Sequence, residues 1–487
     1  GIILDQDKRK NLIKKNIEKI LKKKNLKIQE NEKLFDEVTN LIDYPYILEC
    51  SFDKNFLSIP EEILILTMQS HQKYFPLFTK KNEITNEFIV ISNKKDDRGL
   101  IKIGNERVVN ARLNDAEFFW NKDKSQNLVK KVSKLKSMYF FKGLGNYFDK
   151  VQRMRKLAAL ISDELLISKE KAELSATICK TDLISEIVRE FPELQGVMGG
   201  HLSHAQGFDK EIVDAIKEQY LPLGPDTIVP KKPFSLTLSL ADKVDTLTGF
   251  FGIDEKPSSS KDPFALRRIA LGIIRILIEN KKNIKIHDLF SFSQNNYLNQ
   301  GFKFSNDKII KDIDNFLKDR FKYYLKEKKI RYDIIEASSK YLDLNKISST
   351  YEKAKSLNKF IDKSIGMDIV SSYKRAFSIL NSEIKNINSI LSNTTDPGIF
   401  KNDFEKALFK KTNHIKQYFL GTTNKQNFDE TLIFLATVKK EIFEFFDNVK
   451  VNDESEIVKK NRLELLNFFC KTLDNFIDFQ LIKDTNE

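Results

Sequence analysis

Lys261-Asp262-Pro263-Phe264-Ala265-Leu266-Arg267-Arg268-Ile269-Ala270-Leu271-Gly272-Ile273-Ile274-Arg275-Ile276-Leu277 is the stretch whose reading sets the fold class. Asp262 can cap a helix, and Pro263 suits the first helical turn, where no N–H is needed. Leu266, Ile269, Ile273 and Leu277 then recur at helical spacing and form one apolar stripe. Arg268 and Arg275 are seven apart and share another face. Toward solvent such a pair is ordinary; toward a phosphate backbone it is a contact.

Working outward, the same helical pattern holds from about Ser133 to Asn280, with loops expected at Gly196–Gly200, Leu221–Lys232 and Asp254–Asp262. Upstream the texture changes. Lys8 to Lys24 reads as a lysine-faced surface helix through Leu12, Ile13, Ile17, Ile20 and Leu21. Phe88-Ile89-Val90-Ile91 is a β-prone run, and Ile101 to Ile103 leads into Gly104, so residues to about 125 read as α+β. Downstream, residues 300 to 385 read as basic, aromatic-rich helices, and Asn393 to Gly398 as a break. Beyond it, Leu435, Ile442 and Phe446 mark one amphipathic helix. Leu463, Leu466, Phe469, Leu473 and Phe476 mark another.

The 487 residues have room for three or four domains, and 41% hydrophobic content is enough for ordinary cores. The net charge of +13 comes mainly from lysine. It fits a polyanionic partner or simply a solvated lysine-rich surface. Cys50, Cys179 and Cys470 are far apart, which excludes a disulfide framework or a cysteine-rich zinc site and fits a reducing cytosol. The longest apolar candidate for a membrane span, Ile269 to Ile278, is interrupted by Arg275. No signal-peptide pattern is read, and a start at Gly1 rather than Met reads as a fragment or a processed chain.

No phosphate-binding GxxxxGK[ST] loop, GxGxxG turn or GxSxG elbow occurs. His201 and His204 are three apart, as two metal ligands on a helix could be, but the flanking Gly199, Gly200 and Gly207 favour a flexible turn. His287-Asp288 reads as accidental. Asp182, Glu186 and Glu190 are spaced i, i+4, i+8, with Glu193 three further on. On one helix they would make either a divalent-cation face or an ion-pair network with Lys180 and Arg189.

Several long strings resemble the glycyl-tRNA synthetase β-subunit family. One is Thr67-Met68-Gln69-Ser70-His71-Gln72-Lys73-Tyr74-Phe75-Pro76, and another is Gly104-Asn105-Glu106-Arg107-Val108-Val109 running on through Arg112 to Trp120. A third runs from Lys180-Thr181-Asp182-Leu183 to Gly199. Further ones are Ala241 to Leu247, Phe251-Gly252-Ile253, Lys261 to Arg268, and Asn461 to Leu466. They span nearly the whole chain. The resemblance implies a mainly α, multidomain protein. Residues 1–130 would be an α+β domain similar to the domain inserted in phenylalanyl-tRNA synthetase β chains. An HD-like helical domain would follow over 131–298, a helical linker over 299–395, and an all-α anticodon-binding domain like that of arginyl-tRNA synthetases over 396–487. The family's chain carries a further N-terminal stretch not found here, which again reads as a fragment.

In that family the α subunit holds the class II catalytic core and uses ATP and Mg2+, while the β subunit binds tRNA. The resemblance therefore implies no catalytic residue, cofactor or metal in this chain, an α2β2 assembly with the α subunit, tRNA(Gly) as substrate, no membrane, and a cytoplasmic location. The HD-like part lacks a His-Asp pair at the required place, and is expected to be catalytically dead. The candidate tRNA contacts are His71, Lys73, Arg107, Arg112, Arg267, Arg268, Arg275, Lys374, Arg375, Lys439, Lys440 and Arg462. Arg462 is the only arginine after residue 400, and its planar fork could stack on a base or grip a phosphate. Phe443, Phe445 and Phe446 offer stacking surfaces but read mostly as core. Two other functions fit less well: an HD-type nucleotide phosphohydrolase, and a free-standing RNA-binding scaffold.

Overall fold

The computed structural model describes residues 2–258, 260–384, 394–421 and 427–483. It divides into two compact units, one of residues 1–220 with 232–242, the other of residues 221–231 with 243–487. The division passes through the helix Pro233–Gly252. Among the described residues no helix is long and apolar enough to cross a membrane.

The first unit is built on a small antiparallel sheet of β1 (Tyr46–Ser51), β2 (Phe75–Phe78) and β3 (Ile84–Ser92), in the order β1-β3-β2. Phe88 to Ile91 is apolar at every position because β3 is covered on both faces. Phe88 and Val90 enter a core with Val109, Leu113 and Trp120 of the helix Leu100–Lys124. Ile89 and Ile91 enter a second core with Ile13 and Ile17 of the helix Gln6–Lys24, and with Leu34, Phe35 and Val38 of the helix Glu32–Leu41. Cys50 pairs with Phe88, and Phe75 with Ile89. Pro76, which has no N–H to give, sits in the edge strand β2.

Several expectations change at this level. Ile101 to Gly104 lies inside the helix Leu100–Lys124, where a Cβ at Gly104 would meet nothing. The core on the Phe88 face continues from Trp120 through Ile187, Met198 and Leu202, so one hydrophobic cluster crosses residue 130. Gly199 and Gly200 are not a loop. They lie in the helix Val197–Ala205, which carries both His201 and His204. A Cβ on Gly199 would sit 2.9 Å from Ile216 and 3.1 Å from Asp182, so these glycines permit close packing instead of a turn. Asp182, Glu186 and Glu190 do not share a helix face, because the chain turns at Ser185 between the short helices Thr181–Ile184 and Glu186–Glu190.

In the second unit every regular element among the described residues is a helix. Its central helix, Leu266–Glu279, starts later than Pro263, after Ala265 at φ 54°. Asp262 still caps it, accepting the N–H groups of Leu266 and Arg267 at 2.8 and 3.0 Å. Helices Ile286–Asn299, Ile309–Glu327, Tyr332–Ser339 and Ile347–Ile361 follow. The C-terminal bundle comprises Ser364–Ile384, Asp403–Gly421, Phe428–Ala436, Lys439–Asn448 and Glu456–Asp474. Leu435 and Ile442 fall on separate helices, divided at Thr437 and Val438. Of the expected break, Asn393 lies outside the described residues, while Pro397 begins a short 3-10 turn. The bundle takes in Ser364–Ile384, ahead of the expected boundary at 396. The Tyr373 hydroxyl donates to Asp474 at 3.0 Å, and Glu383 pairs with Lys459 at 2.7 Å.

Candidate nucleic-acid interface

In the first unit, His71 ends a short π-helical turn, Thr67–His71, and its ring stacks on Phe191 at 5.6 Å. His71 and Arg112 line one small cleft with Asp115 and Glu190. Lys73, at φ 61°, pairs with Glu37 at 2.7 Å. Arg107 and Arg112 project from the exposed side of the helix Leu100–Lys124. Phe118, 63% exposed, is eleven residues from Arg107, about three helical turns, so a cation and an aromatic ring share one solvent face. A nucleic acid could use both, the cation against phosphate and the ring against a base.

In the second unit, Arg268 is exposed, while the Arg267 guanidinium donates to the Ser258 carbonyl. Arg375 lies 4.3 Å over the Phe446 ring. Lys439 pairs with Asp368 at 2.6 Å and also sits over Phe443 at 5.7 Å. The helices Ser364–Ile384 and Lys439–Asn448 thereby gather Arg375, Lys439, Phe443 and Phe446 on one basic-aromatic surface. Lys440 pairs with Glu444 at 3.8 Å, and Lys374 is half-buried. Such exposed pairs contribute little to stability and can be exchanged for phosphate.

Two candidates are corrected. Arg275 is buried, with Nε 2.7 Å from Glu279 and its two terminal nitrogens donating to the Gly224 and Thr227 carbonyls at 2.8 and 2.7 Å. It fastens the 221–231 loop to the helix Leu266–Glu279. Arg462 is 5% exposed; it donates to Glu405, to the Lys450 carbonyl at 2.7 Å and to Asp453 at 2.9 Å. Lys401 and the Ser455 N–H help hold Asp453 down at about 2, so it stays charged opposite this fork. A guanidinium spent on buried partners cannot also stack on a base, so both arginines brace the fold.

Three arrangements were not legible in the chain. His201 Nε2 donates to Glu62 at 2.8 Å, and Lys217 pairs with the same carboxylate at 2.7 Å. Burial works against the Glu62 charge, but these two hydrogen bonds outweigh it and hold the group at about 2. One member of the histidine pair is thus used by a carboxylate, and among the described residues no group of three or more His, Cys, Asp and Glu is placed to hold a metal ion. Second, Lys150 and Lys180 are both buried against Asp242, at 3.0 and 3.3 Å. The Lys180 ammonium also lies 4.0 Å over the Tyr220 ring. Close by in sequence, Asp182 is fully buried and accepts the Gly196 N–H at 2.5 Å; burial pushes it up to about 6. Third, a cavity lies against Lys353 in the second unit. Each of these groupings joins residues tens to over a hundred positions apart, for which helical spacing has no signal.

Comparison with known proteins adds what the geometry alone does not. Residues 1–340 match the family model of the glycyl-tRNA synthetase beta subunit, and residues 369–483 match the DALR anticodon binding domain. The second match begins inside Ser364–Ile384, in agreement with the packing of that helix. The chain is 35% identical over 479 residues to the glycine--tRNA ligase beta subunit of Thermodesulfovibrio yellowstonii, covering 98% of this chain and 68% of that protein. It is 36% identical over 482 residues to the one from Rickettsia felis, covering 98% and 69%. An anticodon-binding bundle behind a long synthetase-type region defines the class: a subunit of an aminoacyl-tRNA ligase. Within that class, the chain belongs to the glycyl-tRNA synthetase β-subunit family.

Proposed function

We propose that this chain binds and positions tRNA(Gly) while a partner α subunit, using ATP and Mg2+, attaches glycine. The observation that carries this reading is the pair of family matches, which together take in nearly the whole chain and end in an anticodon-binding domain. The charge balance supports it: at +13 the chain is attracted to a phosphate backbone, and counterion release supplies affinity without sequence information. Arg107, Arg112, Arg268, Arg375 and Lys439 lie on surfaces suited to phosphate, with His71, Lys73, Arg267, Lys374 and Lys440 beside them. Phe118 and Phe443 offer exposed rings to unstacked bases.

No catalytic role is assigned to this chain. In the HD-like region, Lys150 and Lys180 already supply Asp242 with the positive charge that a divalent ion would bring. A metal there would have to displace two buried ammonium groups. This favours a silent domain over a phosphohydrolase. An α2β2 assembly in the cytoplasm completes the proposal, as does the four-part layout, with its last domain extended to include Ser364–Ile384.

The test is tRNA glycylation by the α subunit alone, by this chain alone, and by both together, with a full-length β chain as control. Charging should need both subunits, and this chain alone should give no glycine-dependent pyrophosphate exchange. Exchange by the purified chain would overturn the non-catalytic reading. Failure to bind tRNA would overturn the tRNA-positioning role.

A further inference from the structure

A cavity of about 440 Å3 opens between the helices Tyr332–Ser339 and Ile347–Ile361 and the turn that follows Glu456–Asp474. That volume is within the range of small-ligand sites. Its lining lysine, half-buried, differs from the buried cations described above. Lys353 borders it with no carboxylate partner among the described residues, and its ammonium lies 4.8 Å over the Phe476 ring. Ser338 also lines it, and its Oγ is buried without a hydrogen-bond partner. Tyr341, 78% exposed, stands in the lining with the Lys340 ammonium 5.2 Å over its ring, so a ligand has the opposite face to stack on. Asp474, which accepts the Tyr373 hydroxyl at 3.0 Å, and Asp478, tied to Lys340 at 2.7 Å, line it too, with Thr350, Asn475 and Gln480.

A half-buried ammonium without a carboxylate and a buried hydroxyl without a partner are costly, and both costs fall when a ligand supplies acceptors. Two carboxylates in the same lining disfavour a phosphate. They suit a flat, neutral group that presents donors and acceptors together and has a face to stack. A nucleobase has that chemistry: ring carbonyl or nitrogen acceptors for Lys353, an exocyclic amine for a carboxylate, and a π-face for Tyr341.

We propose that this cavity receives one unstacked base of a tRNA loop, with Lys353 and Ser338 reading its acceptor edge and Tyr341 stacking on it. This deepens the tRNA-binding reading and rests on it. The turn after the helix Glu456–Asp474 forms one wall of the cavity, so the base is one from the loop that the C-terminal bundle would hold.

The test uses the whole chain and tRNA(Gly) transcripts carrying one abasic site at each anticodon-loop position in turn. In wild type, one position should lower affinity about ten- to hundredfold, the scale of a base contact. Lys353→Met and Tyr341→Ala should lower affinity for intact tRNA similarly. For the abasic transcript at that position they should add little, because the interaction is already gone. Circular dichroism and thermal melting would confirm that the variants fold, and Tyr341, being exposed, can be replaced without disturbing a core. Wild-type affinity in both variants would overturn the cavity proposal and leave tRNA binding intact. An equal loss across all transcripts would overturn it too, by assigning Lys353 to general electrostatics. No tRNA binding by wild type would remove both readings. Tight binding of free cytidine or guanosine that is lost in Lys353→Met, with tRNA binding unchanged, would place a free nucleoside there and overturn the RNA source.

Discussion

Two buried sites, one in each unit, handle interior positive charge differently. In the C-terminal bundle, Arg462 spends one planar fork on the Glu405 carboxylate and on the Lys450 carbonyl and Asp453 carboxylate of one loop. In the first unit, two lysines converge on the single carboxylate of Asp242, and aromatic rings take part of the remaining load: Tyr220 under Lys180 at 4.0 Å, Phe140 under Lys150 at 4.6 Å. Arginine satisfies many partners in a fixed geometry, whereas lysine delivers a point charge that must be surrounded. A satisfied fork is structural. A lysine with no carboxylate, as at Lys353, marks a place where something is still to be bound.

That contrast breaks first at Arg462. Arg462→Ala strands the Glu405 carboxylate, 1% exposed, and should destabilise the chain by about 3–5 kcal/mol in urea unfolding. Among molecules that remain folded, tRNA affinity should not change. A stable variant with weakened, anticodon-dependent binding would instead return Arg462 to the RNA surface.

The lysine cluster should be more forgiving. Lys180→Met leaves Asp242 with Lys150 and should cost about 1–3 kcal/mol. Asp242→Leu strands two ammonium groups and should cost more than Lys180→Met. The double variant Asp242→Leu/Lys180→Met should recover part of that loss, because replacing both members of a buried pair by apolar groups removes the desolvation cost. A double variant worse than the sum of the two singles would mean that the cluster is held by something other than charge pairing.

On the surface, Arg107→Ala and Arg112→Ala should barely alter stability. If each meets a phosphate, each should reduce the slope of log affinity for tRNA against log salt by about 0.9. An unchanged slope would remove that helix face from the interface.

The smallest effect is one of pH. Burial raises Asp182 to about 6 from an ordinary value of 3.8, so between those values the folded state binds a proton that the unfolded state has released. Its contribution is therefore present below about 4 and is lost as pH rises through 6. Relative to wild type, Asp182→Asn should gain stability on going from pH 4 to pH 8. Lys353 is shifted the other way, lowered by burial to about 8, so its contribution should rise between about pH 8 and 10.5 and be absent in Lys353→Met. Parallel melting curves for variant and wild type across those windows would contradict the burial of these groups.

Periodicity located most helices because it is a local property. Lys8 to Lys24, Leu266 to Leu277 and Leu463 to Leu473 lie where their apolar spacing places them. It failed where one local signal has two physical causes. Glycine at 199 and 200 meant close approach to Ile216 and Lys217, not a turn. The short spacing of Asp182, Glu186 and Glu190 crossed a bend at Ser185 that no acidic pattern encodes. Of the candidate contacts, the surface cations were legible as charges but not as free or spent.

What the sequence determined by itself is therefore the position of most helices, the β-prone run Phe88 to Ile91, and the family, since each is carried by a continuous stretch of chain. What only the tertiary structure decided is which cations face inward. In the helix Leu266–Glu279 every residue from Gly272 to Ile278 is buried, so Arg275 meets protein, while Arg268, in its first turn, faces solvent. Arg462 finds Glu405 57 residues away in the chain. Whether a charge is exposed depends on partners brought from such distances, and chain spacing holds no record of them.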